Sequence, residues 1–128
     1  MSRLAAIGIA TGDLAESVRF YRLLGVDVPD PDPNDHGHLD AVLPNGLRLM
    51  WDTVEVLRQI DPGWAGSGGQ GVTMAFECSS PGEVDNLHGW IVDAGFRSMK
   101  EPWDAFWGQR YARVLDPDGH AVDLFAPL

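Results

Sequence analysis

Positive charge is scarce in this chain. Nine Lys and Arg stand against nineteen Asp and Glu, a formal net charge of −10 over 128 residues. That balance repels phosphate backbones and anionic headgroups, which argues against nucleic acid and membrane surfaces as partners. Cysteine is scarcer still. Cys78 stands alone, so no disulfide framework can form. Its place in the apolar run Val72–Cys78 reads as a core thiol in a reducing, cytoplasmic setting. Long hydrophobic runs are missing too: no stretch approaches the ~20 residues of a membrane span. The first residues, one Arg and then a short run broken by Gly8, do not read as a signal peptide. What remains is ordinary globular usage, 45% hydrophobic and 22% charged, in a chain long enough for one domain or two small fused modules.

Turn chemistry punctuates the chain. Asp116-Pro117-Asp118-Gly119 joins two strand-like runs, Tyr111–Leu115 and Ala121–Phe125, and predicts a β-hairpin. Pro44-Asn45-Gly46 does the same between Leu39–Leu43 and Leu47–Asp52. The acidic loop from Pro29 to Gly37 contains Asp30, Asp32 and Asn34. Its prolines, and Ala41 where a bidentate Glu would stand, exclude a calcium loop. Val54–Ile60 reads as a short helical or extended piece. The Gly-rich stretch Asp61–Gln70 reads as a connection between modules.

Capping signals mark two helices. Asp13 with Glu16, and Ser80 with Glu83 around Pro81, are capping-box patterns 67 residues apart. Leu14, Val18, Tyr21 and Leu24 recur at helical spacing and stop at Gly25. Val84, Leu87, Ile91 and Ala94 do so and stop at Gly95. Each helix follows a strand, Leu4–Ala10 or Val72–Cys78, and precedes a short one, Val26–Val28 or Phe96–Met99. The second half then runs through a loop, Lys100–Gly108, into its hairpin. The chain is thus an internal repeat of βαβββ plan: module one about 1–55, a connection about 56–70, module two about 71–128. The expected fold class is α+β, with two curved mixed sheets around a cleft, each covered by a helix on one face and open on the other.

With DLAESVRFYRLLG after the first strand and RVLDPDGHAVDLFAP at the end, this order resembles the vicinal oxygen chelate superfamily over essentially the whole chain. That group includes glyoxalase I, extradiol dioxygenases and bleomycin-binding proteins. The resemblance implies a metal site with ligands from the first, fourth, fifth and eighth strands. In this sequence those positions are Ala6, Met50, Thr73 and Asp123. One carboxylate is no specific site for a first-row metal. His36, His38, His88 and His120 fall in a loop, a loop, a helix and a turn, and read as surface histidines. The chain is therefore expected to hold no metal and no cofactor, and to depart from the metal-dependent members.

Strand alternation then assigns the cleft. Arg48, Met50 and Asp52 face it from one strand, Thr73, Ala75 and Glu77 from another, with Asp123 beside them and Ala6, Gly8 and Ala10 opposite. Arg48 is expected to pair with Asp123 or Glu77. Trp103, Phe106 and Trp107 lie in one loop and are expected to wall the cleft, with Trp64 as a further plate. The resulting expectation is a metal-free small-molecule-binding protein with aromatic walls, like the antibiotic-sequestering bleomycin-resistance members. Arg48, Met50, Thr73, Glu77, Trp103, Phe106, Trp107 and Asp123 would be the ligand contacts. The alternative is a lyase, isomerase or dioxygenase of the same group, using unrecognised metal ligands or Asp123 or Glu77 as general base. The resemblance also implies a homodimer.

Overall fold

The computed structural model describes residues 1–66 and 72–128. The chain divides into two compact units, Met1–Gly68 and Gly69–Leu128. The first carries β1 (Ala6–Thr11), α1 (Leu14–Leu23), a 3-10 turn (Pro33–Asp35), β2 (His38–Val42), β3 (Arg48–Thr53) and α2 (Val54–Ile60). The second carries β4 (Met74–Glu77), α3 (Pro81–Asp93), β5 (Arg97–Ala105), β6 (Gln109–Leu115) and β7 (Ala121–Pro127). The fold is α+β. Sheet orders are β1-β3-β2 and β4-β7-β6-β5. Each sheet has one parallel pair, β1 with β3 or β4 with β7, and is otherwise antiparallel. Among the described residues no helix is long and apolar enough to cross a membrane.

Local chemistry sets the helix ends. The Asp13 carboxylate accepts from the Glu16 amide at 3.3 Å, and the Ser80 hydroxyl from the Glu83 amide at 3.1 Å, so each satisfies an amide with no partner inside its helix. Gly25 and Gly95 follow the two helices with φ of 86° and 97°, the left-handed conformation that closes a helix and strains other residues. The Thr11 hydroxyl, fully buried, accepts from Ser17 Oγ at 2.7 Å and from the Asp13 amide at 3.0 Å, tying β1 to the start of α1.

The core follows from alternation. In the first unit Ile9, Leu39, Ala41, Leu49 and Trp51 are buried, as are Val18, Phe20 and Tyr21 of α1. The Tyr21 and Trp51 rings meet at 5.2 Å. In the second unit Val84, Leu87 and Ile91 of α3 are buried with Ala112, Val114, Val122, Leu124 and Ala126 of the sheet. Cys78 is buried, as expected of a core thiol; burial pushes its pKa up and keeps it protonated.

Three expectations are corrected. Val26–Val28 is not a strand: Arg22 Nε and Nη2 take the Val28 carbonyl at 3.1 and 2.8 Å, and the Val28 amide bonds Val26 O at 2.9 Å. The segment's polar groups are satisfied without a ladder, so the first sheet has three strands among the described residues. The loop Lys100–Gly108 is largely strand, because β5 runs from Arg97 to Ala105. Lys100, Glu101 and Pro102 disguise it in sequence, yet β5 is an edge strand, and Pro102 lies where its register shifts. His88 is buried rather than a surface residue, with Nε2 2.7 Å from Ser98 Oγ. Val54–Ile60, left open between helix and extended chain, is helical. Of the Gly-rich connection, residues 67–70 lie outside the described residues.

Candidate functional site

α1 packs on the first sheet, where α2 also touches β1 and β3, and α3 packs on the second; the strand register says what stands on the other face of each. In the second unit the DPDG turn sets that register. Asp116 Oδ1 accepts from the Asp118 and His120 amides, each at 2.9 Å, and Leu115 then pairs with Ala121. Counting outward, Arg113 falls opposite Asp123 and Tyr111 opposite Phe125, while Ala75 and Glu77 pair with Asp123 and Phe125 from β4. Phe125 and Tyr111 stack with centroids 6.3 Å apart.

β5 completes the face through two register shifts, between Ser98 and Lys100 and between Lys100 and Trp103. Regular alternation would turn Lys100 toward the helix. The shifts instead put Lys100 opposite Arg113 and Trp103 opposite Tyr111. Re-aiming side chains in this way is what bulges do. A cavity of about 360 Å³ results, lined by Met99, Lys100, Trp103, Trp107, Tyr111 and Arg113. Its rings contact edge to face: Trp103 to Tyr111 at 5.5 Å, Trp107 to Tyr111 at 5.3 Å and Trp103 to Trp107 at 6.0 Å. The Trp107 indole N–H donates to Gln109 Oε1 at 2.8 Å.

Asp123 lies behind this wall, 4% exposed. Arg113 Nε donates to its Oδ1 at 2.5 Å, Arg113 Nη2 donates to its Oδ2 at 3.0 Å, and the Tyr111 hydroxyl also donates to Oδ2. Burial, and secondarily the Asp123 hydrogen bond, push the Tyr111 pKa up to about 12, so the phenol stays a donor. A carboxylate engaged this fully acts as an anchor; proton abstraction would first require breaking the pair.

The first unit has a different second face. Ala6, Gly8 and Ala10 of β1 pair with Arg48, Met50 and Asp52 of β3, and β2 adds Asp40 and His38 opposite Met50 and Asp52. His38 Nδ1 lies 2.6 Å from Asp52 Oδ1, and Nε2 lies 2.9 Å from Asp40 Oδ2. The hydrogen bond to Asp52 raises the His38 pKa most; burial opposes it, and Asp40 adds to the rise. Arg48 Nη1 is 3.6 Å from Asp40 Oδ1. The expected pairing of Arg48 with Asp123 or Glu77 is therefore replaced by pairing inside each unit: Arg48 with Asp40, Asp123 with Arg113.

The sequence-expected residues fall in both units. Trp103 and Trp107 line the cavity, with Asp123 behind it. Phe106 is 97% exposed at the hairpin turn, its ring 5.0 Å from Trp107. Thr73 precedes β4 and is exposed, as is Glu77. Arg48 and Met50 belong to the first unit. Sequence reasoning missed Tyr111, Arg113, Lys100 and Met99. For the first two a signal existed: counting the hairpin outward from its turn pairs Arg113 with Asp123. It missed His38 because β2 was begun one residue late, although His38 shares parity with Asp40.

A metal does not fit these residues. Ala6 offers no donor, Met50 only a thioether and Thr73 only an exposed hydroxyl, while the Asp123 oxygens already accept from Arg113 and Tyr111. Among the described residues no group of three His, Cys, Asp or Glu is placed to hold an ion.

The comparisons agree on the fold. The family model described as Glyoxalase/Bleomycin resistance protein/Dioxygenase superfamily matches residues 3–124. No curated protein matches. Among solved structures, a glyoxalase/bleomycin resistance protein/dioxygenase from Nocardioides is 28% identical, with TM-score 0.75, over 100% of this chain and 85% of that one. A glyoxalase-related enzyme from Fulvimarina pelagi is 26% identical, with TM-score 0.81, over 98% and 88%. A glyoxalase/bleomycin resistance protein/dioxygenase family enzyme from Burkholderia phytofirmans PsJN, 18% identical with TM-score 0.84 over 99% and 100%, shares the fold.

Proposed function

Because this chain belongs to the glyoxalase/bleomycin resistance protein/dioxygenase superfamily, we propose that it serves as a metal-free small-molecule-binding protein of that group, holding a planar hydrophobic or aromatic ligand. The observation that carries this is the cavity of about 360 Å³ walled by Trp103, Trp107 and Tyr111, with a carboxylate behind it neutralised by Arg113. Ligand sites are concave, mostly apolar and provided with a few polar anchors, in the range of ~300–1,000 Å³. The reading places the protein in the cytoplasm, as a homodimer, without nucleic-acid or membrane partners.

The test is a calorimetric screen of planar aromatic compounds, followed by single substitutions. A well-placed ring contributes ~0.5–1.5 kcal/mol beyond area burial, so Trp103→Ala and Trp107→Ala each weaken binding about two- to tenfold and leave the far-ultraviolet spectrum unchanged. Phe106→Ala, outside the lining, changes affinity little. Elemental analysis after dialysis that finds about one zinc, iron, nickel or manganese per chain would overturn the metal-free reading. Light scattering that returns a monomer mass would remove the dimer.

A further inference from the structure

Lys100 is the chain's one lysine, in a protein where acidic residues outnumber basic ones by nineteen to nine. The fold brings it to the cavity. Its Nζ lies 4.2 Å from the centroid of the Trp103 ring. The register also sets it directly opposite Arg113 on the neighbouring strand. Like charges opposed across a strand pair are destabilising, and a register shift between Ser98 and Lys100 is needed to create this arrangement. Asp123 relieves half of it, since Arg113 holds that carboxylate with two nitrogens at 2.5 and 3.0 Å. Among the described residues Lys100 has no carboxylate partner. The cavity therefore carries one uncompensated positive charge beside its aromatic wall.

Two opposing expectations can be weighed. Aromatic faces and a net charge of −10 both favour a cationic ligand. The global charge acts weakly, because charges farther than a Debye length, ~8 Å at physiological salt, are largely screened. Lys100 lies within the cavity lining and is not. Lys100 also already stands over Trp103, so a second cation there would compete with it for the same ring. An anionic group on the ligand gains the ammonium as a partner and relieves its repulsion with Arg113.

We propose that the cavity of the second unit selects planar aromatic carboxylates, with the ring system against Trp103, Trp107 and Tyr111 and the carboxylate at Lys100. The proposal rests on the aromatic-cavity reading above and adds the ligand's charge and the residue that reads it. It also gives the two bulges of β5 a purpose: they turn the lysine and the first tryptophan of the wall onto one face.

Three probes of one shape test it: 2-naphthoate, neutral 2-naphthamide and cationic 2-naphthylmethylammonium, titrated calorimetrically at pH 7 and physiological salt, where the distant acidic charge is screened. The expected order places 2-naphthoate tightest, about fivefold ahead of the amide, a gap of the size exposed or partly exposed ion pairs support. High salt narrows that gap. Lys100→Gln closes it by weakening 2-naphthoate alone, and Lys100→Arg keeps most of it. Carboxylate and amide binding equally, the ammonium binding tightest, or the gap surviving in Lys100→Gln overturns the proposal. Should the probes bind without charge preference but weaken in Trp103→Ala, the aromatic-cavity reading stands and only the charge selection fails. Should none of the three bind in the millimolar range, or all three bind unchanged in Trp103→Ala, both fail together.

Discussion

On the second face of the first sheet, His38 holds Asp40 and Asp52 beside Ala6, Gly8 and Ala10, with no Phe, Tyr or Trp on the paired strand positions. On the second face of the other sheet, Trp103, Tyr111 and Phe125 stand around one buried ion pair and a lysine. The helix sides of the two sheets are alike: capped helix, glycine stop, apolar strand residues. The same plan of strand, capped helix and closing hairpin, used twice, therefore constrains the covered face and leaves the other free to differ. Packing against a helix demands apolar residues at every second position. The other face has only to keep its polar groups satisfied, so it is where a cavity or a charge network can be installed.

The comparison is sharpened most strongly on the covered faces, which should respond alike. Trp51 in the first unit and Leu124 in the second are 1% and 0% exposed. Trp51→Ala is expected to cost ~3–5 kcal/mol and Leu124→Ala ~2–5 kcal/mol, read as shifts of the urea midpoint. A loss below ~1 kcal/mol at either site would show that its sheet is not held by its helix. The second faces should respond unequally. Asp123→Ala strands Arg113 and the Tyr111 hydroxyl in a largely buried setting and is expected to cost ~2–4 kcal/mol. That is somewhat under the full figure for breaking a buried pair, because the Arg113 side chain is 36% exposed. Asp40→Ala, at a side chain 38% exposed, is expected to cost under ~1 kcal/mol. Equal costs for the two aspartates would break the contrast between the faces.

Smaller effects follow at the caps. Asp13→Ala and Ser80→Ala each remove one accepted hydrogen bond and should each cost ~1 kcal/mol, measured by the same denaturation. The last contrast is in pH dependence. His38 has a folded pKa raised above 6.5, so its contribution is fully present below pH 6.5 and is lost as pH rises through the folded value. Asp52→Asn should flatten that dependence, and an imidazole NMR titration locates the folded pKa. In the second unit Tyr111 is raised from 10.0 to about 12, so its contribution is present below pH 10 and lost between pH 10 and about 12. Phenolate absorbance should show this late titration, and Asp123→Asn should move it down. If Asp52→Asn leaves stability unchanged across neutral pH, the His38 network does not contribute to folding.

The helices α1 and α3 and both hairpin turns were legible in the sequence, because each depends on neighbours within a few residues, and their recurrence exposed the repeat. The Asp13 and Ser80 caps, the Asp116 turn and the glycines that end the helices are chemistry of that range. The covered faces were legible as well, since alternation alone separates Leu49 and Trp51 from Arg48 and Met50. The edge strand β5 was not, because its charged residues and Pro102 look like a loop until β6 pairs with it. Nor was Val26–Val28, whose carbonyl is claimed by a side chain six residues earlier.

The sequence by itself determined the class of the molecule: α+β, acidic, built twice from one plan, with a carboxylate on the last strand and Ala6, Met50 and Thr73 at the three other positions that the resemblance singles out. Only the tertiary structure decided what that carboxylate does and what surrounds it. Its partners are Arg113 and Tyr111 from the adjacent strand, and the wall in front of it depends on two register shifts in β5. The physical reason is that a one-residue slip in a strand moves its side chains to the opposite face. Composition and local spacing are blind to that slip, and only the pairing of one strand with the next resolves it.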